Sequence, residues 1–273
     1  NRFIGQMTEL RIITPSAPLH SGPTTDASLD NEGLFGETFK VTGTKNDFLF
    51  GSLIADGYEG WIPKNCLGDL PVPNARLVAP MTHVTLRASV KSPSCFSLSF
   101  RAVVNVINTK GDRAKIATAT GHAFLPRRHV QLLANVKKKP SAENELVDID
   151  WVGFAERLIN APYKWGGRTA WGLDCSALVQ LSLAATGLDV PRDSGPQHEI
   201  GTHLDIESRL SKSNLRRGDL VFWQGHVGIM QDHHRLLHAN AYHMAVVSEP
   251  LEDAVARISP ISGPITALRR PLF

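Results

Sequence analysis

Three residues of this chain have side chains that could perform nucleophilic chemistry together: Cys175 in Leu173-Asp174-Cys175-Ser176-Ala177-Leu178, His226 in Gly225-His226-Val227-Gly228, and His238 in Leu237-His238-Ala239-Asn240. A thiol, an imidazole able to take its proton and a second polar ring able to orient that imidazole are what covalent catalysis by cysteine requires. Asp174 can cap a helix that runs through Leu178, Val179 and Leu181 towards Gly187. In the first turn of such a helix, unpaired backbone N–H groups and the helix dipole favour the thiolate of Cys175, the reactive form. His226 and His238 are twelve residues apart. A hairpin folded about residue 232, within the polar turn Asp232-His233-His234, sets the two imidazoles opposite each other on one face, with Cβ atoms about 5 Å apart.

Cys175, His226, His233, His234 and His238 could also supply zinc ligands. The spacing argues against it, because neither Cys-x-x-Cys nor His-Glu-x-x-His is present and His233 and His234 fall at the turn, away from His238. No metal and no cofactor is expected. Cys66 and Cys95 are read as buried, inert thiols. Three widely spaced cysteines make a disulfide framework improbable and leave at least one thiol free.

The elements that must position these groups fall into two halves. Up to about residue 135, short apolar and β-branched runs such as Thr38–Gly43, Phe48–Ala55 and Val103–Asn108 alternate with Gly, Pro, Asn and Asp turns, a strand pattern. Trp61-Ile62-Pro63-Lys64-Asn65-Cys66-Leu67 repeats as Phe124-Leu125-Pro126-Arg127-Arg128-His129-Val130, 63 residues later. The repeat predicts two small β modules, 1–70 and 71–135. A polar stretch with three lysines predicts a linker over 136–147. From 148 to 273 the pattern changes to a helix over Trp151–Ile159, the helix headed by Cys175, and then alternating strands: Leu220–Phe222, Val227–Met230, Leu236–Ala239 and Met244–Val247. A helix followed by an antiparallel meander describes an α+β domain.

A formal net charge of +3 is too small to argue for nucleic acid or another polyanion, and no apolar run is long enough to span a bilayer. The chain starts at Asn1 with no apolar leader. With the free thiols, this favours a cytoplasmic location over a secreted or cell-surface one. A monomer is the expected oligomeric state.

Five blocks in order resemble the NlpC family of bacterial cell-wall cysteine peptidases: Pro162-Tyr163-Lys164-Trp165-Gly166-Gly167, Asp174-Cys175-Ser176, Gly218-Asp219-Leu220-Val221-Phe222-Trp223, His226-Val227-Gly228-Ile229 and Leu237-His238-Ala239. Asp56-Gly57-Tyr58-Glu59-Gly60-Trp61-Ile62-Pro63 resembles the closing signature of bacterial SH3-like barrels, which Gly121–Pro126 keeps loosely. The resemblance implies a papain-like catalytic domain behind two all-β SH3-like barrels, with Cys175 as nucleophile, His226 as general base and His238 as its orienter. It further implies hydrolysis of the bond from γ-D-glutamate to a diamino acid in peptidoglycan-derived peptides. Members with N-terminal SH3-like modules are similar to enzymes that require a free N-terminal L-alanine and release L-Ala-γ-D-Glu.

On that resemblance, Asp174 and Ser176 would accept the substrate's ammonium group and Tyr58 would reach across the domain boundary to close the amine pocket, assisted by Glu32 or Glu37. Tyr163 would steady the substrate carbonyl, Trp165 would wall the pocket and Ser194 would hydrogen-bond the substrate. Ala177 stands where the family commonly has Gly, a change that a helix accepts. The rival readings are a non-catalytic wall-binding adaptor and an amidase or acyltransferase on the same scaffold.

Overall fold

The computed structural model describes residues 8–133, 150–211 and 214–272. The chain forms two compact units, one of residues 1–138 with 166–170, the other of residues 139–165 with 171–273. The linker expected over 136–147 lies outside the described residues. Segment 166–170 belongs to the first unit although it falls within the stretch 148–273.

The first unit carries the predicted repeat as a structural one. Strand Glu59–Pro63 runs into a 3₁₀ turn at Lys64–Cys66 and then strand Leu67–Gly68, while Gly121–Pro126 runs into Arg127–His129 and then Val130–Leu132. Pro63 and Pro126 sit at equivalent corners with φ of −59° and −60° and ψ of 134° and 126°. The proline ring presets φ, and lacking an N–H it suits a point where pairing stops. The first module builds a seven-stranded antiparallel sheet over a core of Ile12, Ala17, Leu19, Phe39, Leu53, Ile62, Cys66 and Leu67. In the second, five- and three-stranded sheets enclose a core that includes Leu77, Val84, Leu98, Val104, Ile116 and Leu125.

Leu34 and Phe35 come from the first module yet pack into the second core. They are brought there by Gly36, whose φ of +79° needs glycine and whose backbone lies so close to Val103 that an added Cβ would fall 1.9 Å from the Val103 carbonyl oxygen. Cys66 is buried as expected, but Cys95 is exposed. A register shift between Ser94 and Phe96 interrupts the ladder at Cys95 and turns its side chain outwards.

In the second unit, a six-stranded antiparallel sheet runs in the order Thr202–Leu204, Ala267–Arg270, Leu220–Trp223, His226–Met230, Arg235–Asn240, Ala245–Pro250. Helix Cys175–Ala184 is buried at all ten positions, which is why its sequence is largely apolar, with Ser176, Gln180 and Ser182 as uncharged polar exceptions, and carries no charge. Helix Leu251–Ser262 places Leu251, Ala254 and Ile258 against Val221, Trp223, Met230, Leu236 and Leu268 of the sheet. The helix predicted over Trp151–Ile159 is shorter, Trp151–Glu156, and is capped by Asp150, which accepts from the Gly153 N–H at 3.0 Å. It stops because the chain turns at Asn160, which adopts a φ of +70° and donates its N–H to Val246. No helix among the described residues is long and apolar enough to cross a membrane.

Candidate active site

Asp174 caps the helix that Cys175 begins. Its carboxylate accepts from the Ala177 N–H at 2.9 Å, while its backbone is extended, as the cap position requires. The same carboxylate accepts from the Ser176 hydroxyl at 3.2 Å and from both terminal nitrogens of Arg192, at 2.9 and 2.6 Å. Arg192 also donates to the Ser176 oxygen at 2.9 Å. All three side chains are buried. Gln197 fastens the group from below, donating to the carbonyls of Ser176 and Pro191. The two residues flanking the thiol therefore belong to one closed polar network, and its cation, Arg192, was absent from the sequence reading.

Backbone N–H groups of Val227 and Ser176 interact with the Cys175 sulfur, and Val227 directly follows His226 in its strand. The two histidines meet, though not by the predicted register. Ile229 pairs with Leu237 and Met230 with Leu236, so the hairpin is centred on residue 233, and His226 is set diagonally to His238 rather than directly opposite. The shift follows from Asp232, whose carboxylate accepts from the N–H groups of His234 and Arg235 and so closes the turn one residue later. A diagonal pair on one face is still within reach of imidazole rings. His226 Nε2 lies 2.8 Å from His238 Nδ1, and His238 Nε2 lies 2.6 Å from Glu249 Oε1. Arg257 donates to that same oxygen of Glu249.

Burial decides the resting charges. It pushes the Cys175 thiol up to about 12, with the negative charge of Asp174 adding to the effect; N–H contacts and Arg192 oppose it but do not prevail. Burial also pushes His226 down to about 3, helped by its neighbours His238 and Arg257. The backbone N–H groups at the helix N-terminus favour the thiolate, but desolvation outweighs them, so thiol and imidazole are both neutral near pH 7. Burial raises Tyr163 to about 12, with the charges of Cys175 and Asp174 contributing, so its hydroxyl stays a neutral donor. Glu249 is held at about 2, because hydrogen bonds from His238 and Arg257 overcome its own desolvation.

Tyr163 is half-buried, and its N–H donates to the Met244 carbonyl at 2.9 Å. Trp165 is 66% exposed and so is no core residue. Ser194 opens the short helix Ser194–Gln197 and is half-buried. Tyr58 lies in the first unit, packed against the first barrel's core with its hydroxyl 3.5 Å from the Asp30 carbonyl. Glu32 and Glu37, which the sequence left unseparated, are both buried against Arg168. Glu37 takes the guanidinium with both oxygens at 2.9 Å, while Glu32 accepts the Arg168 N–H at 2.9 Å. Sequence reasoning missed Glu249, although one signal pointed to it. With the strand Ala245–Pro250 paired back on Arg235–Asn240, Glu249 lies opposite Leu236, two positions along from His238 on the same face.

A buried thiol heading a helix, packed on an antiparallel sheet whose adjacent strands carry two bonded imidazoles, defines a papain-like cysteine hydrolase domain. Residues 160–258 match the NlpC/P60 family, and residues 19–67 match the bacterial dipeptidyl-peptidase Sh3 domain. The chain carries an NlpC/P60 cysteine peptidase domain preceded by a bacterial SH3 domain.

Among curated proteins, the chain is 25% identical over 232 residues to a gamma-D-glutamyl-L-lysine dipeptidyl-peptidase of Bacillus subtilis, covering 78% of this chain and 70% of that one. It is also 25% identical over 242 residues to dipeptidyl-peptidase 6 of Lysinibacillus sphaericus, covering 84% and 86%. The crystal structure of an NlpC/P60 family protein from Bacillus cereus superimposes with a TM-score of 0.77 at 20% identity, over 97% of this chain and all of that one, a likeness of fold.

Proposed function

We propose that this protein hydrolyses the γ-D-glutamyl bond to a diamino acid in peptidoglycan-derived peptides that carry a free N-terminal L-alanine, releasing L-Ala-γ-D-Glu. The chemistry is carried by Cys175 at the head of a buried helix, whose sulfur interacts with the N–H of Val227, the residue after His226, together with the 2.8 Å contact between His226 Nε2 and His238 Nδ1. The name of the gamma-D-glutamyl-L-lysine dipeptidyl-peptidase that matches 78% of the chain supports the bond, and both that name and dipeptidyl-peptidase 6 support release of a dipeptide.

In this reading His226 takes the thiol proton as Cys175 attacks the γ-carbonyl carbon, so that the ion pair forms with the reaction rather than before it. The Tyr163 hydroxyl and the Cys175 N–H receive the developing oxyanion. Collapse of the tetrahedral intermediate breaks the C–N bond, and His226 returns its proton to the leaving amine. Water, deprotonated by His226, then attacks the thioester; the acid is released and the thiol restored. Asp174 and Ser176 receive the substrate ammonium, Trp165 walls the cleft and Ser194 hydrogen-bonds the peptide. Because Asp174 already shares its charge with Arg192, the ammonium meets the negative end of a buried ion pair rather than a bare carboxylate.

The test is incubation with L-Ala-γ-D-Glu-diaminopimelate, the same peptide N-acetylated, its L-lysine counterpart and intact peptidoglycan. Dipeptide release from the free peptides, little from the acetylated peptide or the intact wall, and a loss of at least about a thousandfold in Cys175→Ala are expected. Equal cleavage of the acetylated peptide would remove the amine requirement and favour a general amidase, and an active Cys175→Ala would overturn the nucleophile.

A further inference from the structure

The geometry points to Glu249 as a positioning residue that sets the protonation pattern of both histidines, so that His226 presents an unprotonated Nδ1 to the thiol. This rests on the proposed roles of Cys175 and His226. A carboxylate only accepts hydrogen bonds, so at 2.6 Å from Glu249 Oε1 the Nε2 of His238 must carry the hydrogen. A neutral His238 protonated on Nε2 has a lone pair on Nδ1. That lone pair faces His226 Nε2 at 2.8 Å, so His226 Nε2 is the donor. A neutral His226 protonated there has its own lone pair on Nδ1, the one ring nitrogen left to act as base. One carboxylate thus fixes two tautomers in series across three adjacent strands.

A competing bond exists and is weaker. Asn240 Nδ2 lies 3.0 Å from His238 Nε2 and would favour the opposite tautomer, since Asn240 Oδ1 is occupied by the N–H and ring Nδ1 of His243. A bond to an ionised acceptor at 2.6 Å is about twice as strong as a neutral one at 3.0 Å, so the carboxylate decides. The opposite tautomer would also set the lone pair of Nε2 against the carboxylate. Arg257, from helix Leu251–Ser262, keeps Glu249 ionised and in place. The charged and titratable groups around His238 are therefore Glu249, Arg257, His226 and His243.

When His226 becomes an imidazolium during the reaction, its Nε2–H still points at His238 Nδ1, and the Glu249 charge behind that ring favours the cation. Loss of the carboxylate removes both effects. In Glu249→Gln the side-chain amide can accept from Nε2–H or donate to a bare Nε2, and the tautomer preference disappears.

The experiment reads imidazole nitrogen NMR shifts of the wild-type protein at about pH 7 together with kinetics of Glu249→Gln on the free peptide. The wild-type protein should give a protonated Nε2 and a bare Nδ1 for His238. In Glu249→Gln that pattern should be lost or mixed, and kcat should fall by about tenfold or more with KM unchanged. A wild-type His238 protonated on Nδ1, or a Glu249→Gln protein with the wild-type kcat, would overturn the inference. If the variant does not fold, the wild-type NMR pattern alone decides. Cys175→Ala separates the two claims: activity surviving there defeats the assigned nucleophile, whereas the tautomer pattern stands or falls by the nitrogen shifts.

Discussion

Arg192 closes on Asp174 with both guanidinium nitrogens, at 2.9 and 2.6 Å, and does so next to Cys175 in the chain, inside a buried network. The pair joins a loop to the cap of helix Cys175–Ala184, eighteen residues earlier in the chain. Removing the cation leaves Asp174 buried and charged without its partner. Arg192→Met should therefore cost about 3–5 kcal/mol in urea unfolding. Arg192→Lys, which keeps the charge but not the two-pronged geometry, should recover only part of it. A Met variant as stable as the wild type would mean that the cap does not depend on the pair.

The second prediction concerns the resting thiol. With Cys175 raised to about 12 and His226 lowered to about 3, chiefly by burial in both cases, no thiolate–imidazolium pair is present in the free protein. Alkylation of Cys175 by iodoacetamide without substrate should then rise about tenfold per pH unit between neutral and mildly alkaline pH, since only the thiolate reacts. A rate that is high and flat over that range would indicate a preformed ion pair.

Acid should destabilise the fold through the same histidines. His226 is depressed from 6.5 to about 3, and His238 is depressed too, by burial against the opposing pull of Glu249. The unfolded chain binds protons that the folded one refuses, so this contribution to stability is complete above pH 6.5 and is lost as pH falls towards 3. Glu249, lowered from 4.5 to about 2, adds a further loss between those values. Thermal midpoints should be level from neutral to mildly alkaline pH and decline steadily below 6.5. A midpoint unchanged down to pH 4.5 would contradict the buried neutral histidines.

A fourth prediction concerns the β modules. Gly36 combines a φ of +79° with a backbone approach that would set a Cβ 1.9 Å from the Val103 carbonyl oxygen. Gly36→Ala should lower stability by at least about 1–3 kcal/mol, the usual cost of a strained backbone alone. Gly57→Ala, also at positive φ but with open space around it, should cost less. Equal melting temperatures for the two variants would show that the close approach to Val103 carries no energy.

Much of the second unit was legible because its signals are local. A cap followed by an apolar run marked the helix headed by Cys175, and alternation marked the strands that carry His226 and His238. The register between those strands was not legible. It depends on which N–H groups the Asp232 carboxylate captures, a choice made within a three-residue turn. Cys95 escaped for a similar reason: an apolar-looking strand position is exposed wherever the ladder slips by one residue.

The chain by itself determined the helix and strand positions of Cys175, His226 and His238, the doubled Pro63 and Pro126 corners, and the order of helix and strands, all of which follow from residue types and short spacings. The tertiary structure alone decided what surrounds those groups. Arg192 reaches Asp174, Arg168 reaches Glu37 across 131 residues, and Glu249 and Arg257 close behind His238. Such contacts depend on strand register and loop path rather than on neighbouring letters. The charge state of Cys175 belongs to the same class, because burial is a property of the assembled fold and here it outweighs the local field of the helix end.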